Sequence, residues 1–429
     1  MNKRFLTIMG VLALLLAACG QQDDLDIRGD TVISGITASA SDPAAPTAES
    51  VTSPTTAPAP TPSVVPTATP TLAPSVVPTA APTLAPSAAP TPTPSAVPTA
   101  APTPAPSVVP TAAPTIAPTT APTAESSFLG AHGALSVNGT DLVDQNGEKI
   151  QLYGVSTHGL AWFPQYVNED AFRTLHEDWK INCVRLALYT DEYGGYANGG
   201  DKENLKNLIR NGITYATDQD MYVIIDWHVL NDRDPNVHKA EALAFFEEIA
   251  SEYADHTNII YEICNEPNGY ATWESVKNYA EEVIPVIRTH DEDAVILVGS
   301  PTWSQDIDKA AASPLNFDNV MYTLHFYADT HRDNLRSRLE TCMSSGLPVF
   351  ISEFGTCDAS GSGANNFDQT SKWLELAEKY NISFFSWSLC NKAETSALIS
   401  PSCSKTADWT EDELSEAGKW LRNYFRGKG

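Results

Sequence analysis

Residues 259–267 read Ile-Ile-Tyr-Glu-Ile-Cys-Asn-Glu-Pro, and residues 348–355 read Pro-Val-Phe-Ile-Ser-Glu-Phe-Gly. Each stretch is a run of strand-forming residues that leads to one glutamate, Glu266 in the first and Glu353 in the second. Runs that are apolar almost throughout are typical of strands buried on both faces, as in a parallel sheet. The two stretches therefore predict two core strands, each with a carboxyl group at its carboxyl end.

The same pattern occurs eight times in the second part of the chain. The eight apolar runs are 149–157, 183–189, 222–227, 259–264, 295–299, 320–326, 348–353 and 382–389. Amphipathic stretches, for example 201–217 and 272–289, lie between them. Eight alternating units predict an α/β fold, a (β/α)8 TIM barrel. No Gly-x-Gly-x-x-Gly motif follows the first run, which disfavours a dinucleotide-binding sheet.

Two Asn-Gly pairs, at 138–139 and 146–147, precede the first run. Asn-Gly is the strongest short-range signal for a tight hairpin turn. We therefore expect a small N-terminal hairpin that closes the bottom of the barrel.

The chain before the barrel contains two other kinds of sequence. Residues 1–19 have a basic start, a short apolar run and Leu-Ala-Ala-Cys at the end, which predicts a lipoprotein signal peptide with lipidation of Cys19. Residues 20–125 are predicted to be disordered, with a linker rich in Pro, Thr, Ala and Ser. Residues 126–429 then form the barrel domain. We expect a protein anchored by its lipid at the surface of a bacterial cell, or a secreted protein if Cys19 is not lipidated.

The chain is strongly acidic, with 53 acidic and 26 basic residues and a formal net charge of −27. Such a surface repels nucleic acid and anionic lipid, so the only membrane contact we expect is the lipid anchor. The charge favours a neutral substrate over a phosphorylated one. The seven cysteines lack Cys-x-x-Cys spacing, which disfavours a structural zinc site. We expect a monomer.

Polar and aromatic side chains stand at or just after the ends of the predicted strands. In a barrel of this type the carboxyl ends of the strands face the active site. In chain order these side chains are His158, Trp162, Arg185, Tyr189, His228, Asn265, Glu266, Trp303, His325, Tyr327, Glu353 and Trp387. The three histidines suggest a zinc site, but the arginine expected in the same pocket disfavours one. We therefore expect no metal and no cofactor.

Two glutamates brought to one place by separate strands are what the cleavage of a glycosidic bond requires. One carboxylic acid protonates the departing oxygen, and one carboxylate acts on the sugar. Arg185 and Tyr327 as neighbours would keep Glu353 ionised, as a nucleophile requires. The negative charge of Glu353 would then keep the proton on Glu266, which becomes the acid. The tryptophans offer flat apolar faces to sugar rings.

Several longer strings resemble glycoside hydrolase family 5 and, within it, the bacterial endo-β-1,4-glucanases, or cellulases. The strings are His158-Gly-Leu-Ala-Trp-Phe, Asp226-Trp-His-Val-Leu-Asn-Asp-Arg-Asp-Pro, Tyr261-Glu-Ile-Cys-Asn-Glu-Pro-Asn-Gly, Val320-Met-Tyr-Thr-Leu-His-Phe-Tyr-Ala and Trp387-Ser-Leu-Cys-Asn-Lys-Ala-Glu-Thr-Ser-Ala. The resemblance covers roughly residues 132–425. Two positions depart from the family pattern, Ala161, where Gln is expected, and Phe354, where many relatives carry Trp. Both affect fine positioning only.

The resemblance implies a role for each strand-end residue. Glu266 is the acid/base and Glu353 the nucleophile. The residues that support them are Arg185, His228, Asn265, His325 and Tyr327. The glycone-side contacts are His158, Trp162, Tyr189, Trp387, Lys392 and Glu394. Trp303 is a platform on the aglycone side.

The carboxyl pair and the resemblance together predict an endo-β-1,4-glucanase. It would hydrolyse internal bonds of cellulose and related β-glucans, as polysaccharide or oligosaccharide, with retention of configuration by double displacement. A mannanase, mixed-linkage glucanase or xyloglucanase on the same barrel is the alternative within this reaction class. A surface glycan-binding protein without catalysis is the alternative outside it, and the complete set of strand-end groups disfavours it.

Overall fold

The computed structural model describes residues 127–429. The predicted signal peptide at 1–19, Cys19 and the predicted linker within 20–125 lie outside the described residues. Within 127–429, no helix combines the length and the apolar character that crossing a membrane requires.

The described residues contain ten strands. They are β1 Ser136–Asn138, β2 Asp141–Val143, β3 Tyr153–Thr157, β4 Cys183–Tyr189, β5 Tyr222–His228, β6 Ile259–Glu262, β7 Val295–Val298, β8 Val320–Tyr327, β9 Val349–Gly355 and β10 Phe384–Leu389. The last eight are parallel and form a closed barrel in which chain neighbours are barrel neighbours and β10 pairs with β3. The predicted TIM barrel is therefore confirmed, and each predicted apolar run overlaps one of its strands.

Helices alternate with the barrel strands and bury one face against them. They are Glu169–Glu177, Lys202–Asp218, Lys239–Glu252, Trp273–Arg288, Ile307–Ala312, Asp333–Ser344, Phe367–Lys379 and Glu416–Arg426. A further short helix, Phe128–His132, precedes the barrel. Three short 3-10 helices lie in loops, at Pro164–Tyr166, Pro235–His238 and Glu411–Glu413. Asn168, Asp201 and Thr272 each cap a helix by accepting a hydrogen bond from the N–H three residues later. These caps determine where the chain leaves the barrel rim and enters a helix.

The predicted hairpin is also confirmed. β1 and β2 pair antiparallel, and Gly139 in the turn has a φ of 63°, which glycine adopts without strain. Leu142 packs into the apolar cluster at the lower end of the barrel. Lys149 pairs with the hairpin residue Val143, which is why only part of the predicted run 149–157 joins the barrel.

The interior of the barrel changes from apolar to charged along the strands. The apolar cluster at the lower end includes Cys183, Ile224 and Ile260. Two residues further along the same strands stand three completely buried charged residues, Arg185, Asp226 and Glu262. Because residues two apart on a strand point to the same side, these charged groups also point into the barrel. They form the floor of the candidate site.

Candidate active site

Glu266 and Glu353 lie together at the carboxyl ends of the barrel strands. Glu353 belongs to β9, and Glu266 lies four residues beyond the end of β6. One carboxylate oxygen of each glutamate and a ring nitrogen of His325 all lie within 4.8 Å of one another. The Glu353 side chain is 5% exposed and the Glu266 side chain 12%. Two carboxyl groups therefore face one space at the mouth of the barrel.

Arg185 pairs with the carboxylates at the floor of this space. Its buried guanidinium lies 2.7 Å from Glu262 Oε2, 3.0 Å from Asp226 Oδ2 and 3.3 Å from Glu353 Oε2. It also donates to Asn265 Oδ1 at 2.7 Å. Buried charges are stable only when they are paired and hydrogen-bonded, so one guanidinium with three carboxylates fixes the position of each.

Hydrogen bonds fix the orientation of His228 and Asn265. His228 Nδ1 lies 2.6 Å from Asp226 Oδ2, and Asn265 Nδ2 lies 3.2 Å from His228 Nε2. Burial and the charge of Arg185 lower the pKa of His228 well below its ordinary value, so the ring is neutral. Because an amide nitrogen can only donate, Nε2 accepts, and the ring proton on Nδ1 points to Asp226. Both side chains are thereby locked in place.

A chain of hydrogen bonds joins Glu266 to Glu262 through His325 and Ser352. His325 Nδ1 lies 2.9 Å from Glu266 Oε1, and His325 Nε2 lies 2.8 Å from Ser352 Oγ. Ser352 Oγ donates in turn to Glu262 Oε1 at 2.7 Å. Burial alone would lower the pKa of His325, but the hydrogen bonds to Glu262 and Glu266 outweigh it and raise the pKa to about 9. His325 is therefore a cation at neutral pH and donates from both nitrogens.

Tyr327 completes the surroundings of the second glutamate. Its hydroxyl donates to Glu353 Oε1 at 2.9 Å. Burial and the charge of Glu353 raise the pKa of Tyr327 well above its ordinary value, so the hydroxyl keeps its proton. Arg185 and Tyr327 therefore hold the two oxygens of Glu353 from different sides.

The distribution of the proton between the two glutamates differs from the sequence prediction. The sequence argument expects Glu353 to be ionised and Glu266 to hold the proton. Instead, burial and the charge of Glu266 raise the pKa of Glu353 to about 7, although the neighbouring cations oppose the shift. The reason is that Glu353 is the more deeply buried carboxyl group, while Glu266 faces the His325 cation. The pair thus shares one proton below about pH 7.

Glu266, His325 and Glu353 also have the donor types that metal ions use. Within residues 127–429 they are the one group of such donors close enough to share an ion, and the predicted alternative of three histidines does not assemble there. An ion at this place would lie beside the Arg185 guanidinium and would displace the proton of His325. Both effects oppose the binding of a cation.

An aromatic wall leads from the carboxyl pair towards solvent. The Trp387 ring is centred 5.3 Å from His228 and 5.2 Å from His158. Trp162 meets Tyr189 edge-on at 4.8 Å and is 36% exposed. The wall offers flat apolar faces beside polar groups, which suits an amphipathic ring.

Lys392 and Glu394 place polar groups at the edge of this wall. Lys392 Nζ lies 2.6 Å from Glu394 Oε2 and 3.5 Å from His158 Nε2. Burial and the charge of Lys392 lower the pKa of His158 to about 3, so its ring is neutral. The N–H of Gly159 donates to His158 Nδ1 at 2.7 Å, which leaves the ring proton on Nε2. The edge therefore presents two donors and one carboxylate acceptor.

Trp303 stands apart from the wall, in one turn of left-handed helix within Pro301–Ser304. Thr302, Trp303 and Ser304 have φ values of 60°, 54° and 55°, a conformation that costs about 1–2 kcal/mol for each L-residue. The backbone N–H of Trp303 donates to Pro267 O at 3.1 Å, and the Ser304 hydroxyl donates to Asn265 O at 2.6 Å. The turn is thus tied to the backbone on both sides of the glutamate at 266.

Four residues of this arrangement have no role in the sequence prediction. They are Asp226, Glu262, Ser304 and Ser352. The two carboxylates carry a readable signal, since each is a charged residue inside an apolar strand, two positions beyond an inward-facing apolar one. The two serines carry none, because their roles depend on contacts between strands and on a left-handed turn that contains no glycine.

A family model described as Cellulase (glycosyl hydrolase family 5) matches residues 143–393. The chain is 50% identical over 293 residues to endoglucanase A of Butyrivibrio fibrisolvens, a match that covers 68% of each chain. It is 45% identical over 298 residues to an endoglucanase of Clostridium saccharobutylicum, covering 69% of this chain and 65% of that one.

Two solved structures show the same similarity. The cellulase Cel5C_n aligns with a TM-score of 0.68 and 43% identity, covering 70% of this chain and 94% of that one. A variant of the catalytic domain of the Thermobifida fusca endoglucanase Cel5A, in complex with cellotetraose, aligns with a TM-score of 0.67 and 37% identity. That match covers 70% of this chain and 99% of the other.

Proposed function

Because the chain belongs to glycosyl hydrolase family 5, we propose that it is an endo-β-1,4-glucanase that cleaves internal bonds of cellulose and related β-glucans with retention of configuration. The observation that carries the proposal is the approach of the Glu266 and Glu353 oxygens to within 4.8 Å. Carboxyl groups about 5–5.5 Å apart are typical of retaining enzymes, whereas inverting enzymes separate them by about 6.5–9.5 Å to admit a water. The close approach therefore supports direct attack by a carboxylate.

In the first half of the reaction the proton held by the pair moves from Glu353 to Glu266, and the Glu353 carboxylate attacks the anomeric carbon. A C–O bond to Glu353 forms as the glycosidic C–O bond breaks, and Glu266 gives that proton to the departing oxygen. Arg185 and Tyr327, which contact the two oxygens of Glu353, hold the nucleophile in position and stabilise its anion before attack.

In the second half a water molecule releases the sugar from Glu353. Glu266, now a carboxylate, takes a proton from the water, whose oxygen attacks the anomeric carbon as the bond to Glu353 breaks. The His325 cation, 2.9 Å from Glu266, stabilises the carboxylate that this step needs. Two inversions at one carbon give retention, and both enzyme groups return to their first state.

We expect kcat/KM for cellotetraose to fall above about pH 7, by about tenfold per pH unit. The reaction needs one proton on the carboxyl pair, and the raised pKa of Glu353, about 7, marks where the free enzyme loses it. Below that pH Glu353 holds the proton, and above it Glu353 loses it. A pH profile of kcat/KM measures this directly.

The control is Glu266→Ala with 2,4-dinitrophenyl β-cellobioside, whose leaving group needs no acid. In that variant the fall above pH 7 should disappear. A wild-type profile that stays flat to pH 9 would contradict the shared proton.

The aromatic wall and Trp303 supply the proposed sugar contacts. The sugars before the cleaved bond would contact His158, Trp162, Tyr189, Trp387, Lys392 and Glu394. The sugar after it would lie on Trp303. The T. fusca relative bound to cellotetraose supports a linear β-glucan as the ligand, and the net charge of −27 supports a neutral one.

Ser304→Ala is expected to lower kcat/KM for cellotetraose by about tenfold. The change removes the hydroxyl that ties the left-handed turn to Asn265 O, so Trp303 loses its fixed position. Turnover of 2,4-dinitrophenyl β-cellobioside, which has no sugar after the cleaved bond, should stay within about twofold of wild type.

The matched control is Ser300→Ala, since the Ser300 hydroxyl is buried without a hydrogen-bond partner in the described structure. This variant should turn over both substrates like the wild type. An equal loss on both substrates in Ser304→Ala would show a general structural effect and contradict a role in positioning Trp303.

Substrate choice is tested by parallel assays on carboxymethyl cellulose, mixed-linkage glucan, xyloglucan, mannan and xylan. We expect the fastest rate on the cellulose derivative. Because internal bonds are cleaved, the viscosity of its solution should fall rapidly while few new reducing ends appear. A faster rate on mannan or xyloglucan would select the alternative enzyme. Binding without release of reducing ends on every polymer would select a glycan-binding protein.

We further propose that Cys19 carries a lipid anchor and that the proline-rich segment is a spacer to the cell surface. The support is the Leu-Ala-Ala-Cys string at 16–19 after a short apolar run. Labelling with radioactive palmitate should mark the wild type, and Cys19→Ala should abolish the label and release the enzyme into the medium. An unlabelled wild-type protein found in the medium would contradict the anchor.

A further inference from the structure

The exposed large apolar side chains share one end of the barrel. Within residues 127–429 they are Trp162, Tyr193, Val237 and Tyr270. They lie in the segments that follow the carboxyl ends of β3, β4, β5 and β6, in that order. Tyr193 is 89% exposed and Tyr270 61% exposed. Single exposed apolar residues are ordinary, but a set confined to one rim marks an interaction surface.

Hydrogen bonds join these loops into one bank of the barrel rim. The indole N–H of Trp162 donates to Tyr193 O at 3.2 Å. The N–H of Asn231, in the loop after β5, donates to Glu192 Oε1 at 3.1 Å. The Tyr270 hydroxyl donates to the backbone carbonyl of Asp232, in the same loop as Asn231, at 3.4 Å. The bank therefore runs from the outer end of the aromatic wall to the loop that carries the acid glutamate.

The tyrosine rings on this bank are free to bind a ligand. Trp162 contacts the backbone carbonyl of Tyr193, so the Tyr193 ring is not needed to hold Trp162. The Tyr270 ring is mostly in solvent, and only its hydroxyl contacts the neighbouring loop. Tyrosine combines a flat apolar face with a polar tip, the combination that suits a sugar ring.

The charge of the bank selects a neutral ligand. The loops after β4 and β5 carry the acidic residues Asp191, Glu192, Asp232 and Asp234, against one arginine, Arg233. An acidic polymer would be repelled from this surface, and an uncharged chain would not.

We propose that Tyr193 and Tyr270, with Val237 on the same bank, form a second binding surface for a neutral β-glucan chain, separate from the catalytic cleft. The inference rests on the proposed function, since the polymer bound there is the polymer that is cleaved. Its role is to hold the enzyme on insoluble glucan, where neighbouring chains lie side by side, while another chain occupies the cleft.

The test is binding of the full-length chain to phosphoric-acid-swollen cellulose in the inactive Glu353→Gln, Cys19→Ala background. Trp387→Ala in the same background weakens binding in the cleft, so the remaining binding reports the second surface. The double variant Tyr193→Ala/Tyr270→Ala should lower that binding by at least about fivefold. With Glu353 restored, its kcat/KM for cellotetraose should stay within about twofold of wild type.

Two further variants distinguish the loss of the tyrosine rings from other effects of substitution. Tyr193→Phe/Tyr270→Phe keeps both rings and should bind like the parent. Tyr380→Ala, in the loop before β10 at the opposite end of the barrel, should also bind like the parent.

Unchanged binding in the double alanine variant, or equal loss in the double phenylalanine variant, would overturn the proposal and leave the glucanase function intact. Absence of wild-type activity on every β-glucan would instead overturn the proposed function.

Discussion

Glu353→Gln is expected to lower kcat/KM for cellotetraose by at least about 10³-fold while the barrel stays folded. The amide has the shape of the carboxylate, and its oxygen still accepts from Arg185 or Tyr327, which contact Glu353 at 3.3 and 2.9 Å. It cannot form the bond to the anomeric carbon. The change also removes the repulsion between the Glu353 and Glu266 carboxylates, so the free energy of unfolding should not fall.

Steady-state kinetics and thermal unfolding of the variant measure both expectations. Glu281→Gln, an exposed glutamate on the helix Trp273–Arg288, is the matched control and should behave like the wild type. More than a tenth of wild-type turnover in Glu353→Gln would contradict the assignment of the nucleophile.

Azide distinguishes the two glutamates by the face from which it attacks. In Glu353→Ala, with an activated aryl cellobioside, azide enters the place of the lost carboxylate and should give the α-glycosyl azide. In Glu266→Ala it reacts with the glycosyl-enzyme from the opposite face and should give the β-glycosyl azide. Exchanged products would show that the two roles are reversed.

Arg185→Met is expected to lower the free energy of unfolding by about 3–5 kcal/mol, because removal of one partner of a buried ion pair leaves charge uncompensated. Asp226, Glu262 and Glu353 would then share the barrel floor without their common cation. The loss of positive charge would also favour the protonated form of Glu353, so activity at neutral pH should fall with stability. Urea unfolding monitored by circular dichroism measures the first effect.

The control for Arg185→Met is Arg210→Met. Arg210 also pairs with carboxylates, those of Glu248 and Glu252, but on the helical surface. Exposed pairs contribute about 0–1 kcal/mol, so this variant should lose little stability. Equal losses for Arg185 and Arg210 would contradict the account of a charged barrel floor.

The sequence predicts the barrel well because its strands are buried on both faces. A strand buried on both faces must be apolar almost throughout, as in the run that contains β6. Polar loops separate these runs, so the eight strands can be counted from the sequence. The hairpin is predictable for a similar local reason, since Asn138-Gly139 requires a left-handed turn. The first run begins four residues before its strand, because Lys149 pairs outside the barrel, and the other predicted ends lie within two residues of the observed ones.

The site is predictable where a residue marks the end of a strand and harder to predict where it depends on distant contacts. Glu266 and Glu353 are visible as acids that close apolar runs. Ser352 matters only because it stands between His325 and Glu262, which come from two other strands. The position of the shared proton likewise depends on the relative burial of two side chains, which no local pattern encodes.

The most direct test of the central claim is the anomeric form of the first product. Cellotetraose cleavage followed by proton nuclear magnetic resonance within minutes distinguishes the α from the β anomer before mutarotation. Double displacement through Glu353, with Glu266 as acid and base, predicts that the β anomer appears first and the α anomer follows slowly. Immediate appearance of the α anomer would show inversion and contradict the assignment of Glu353 as a covalent nucleophile.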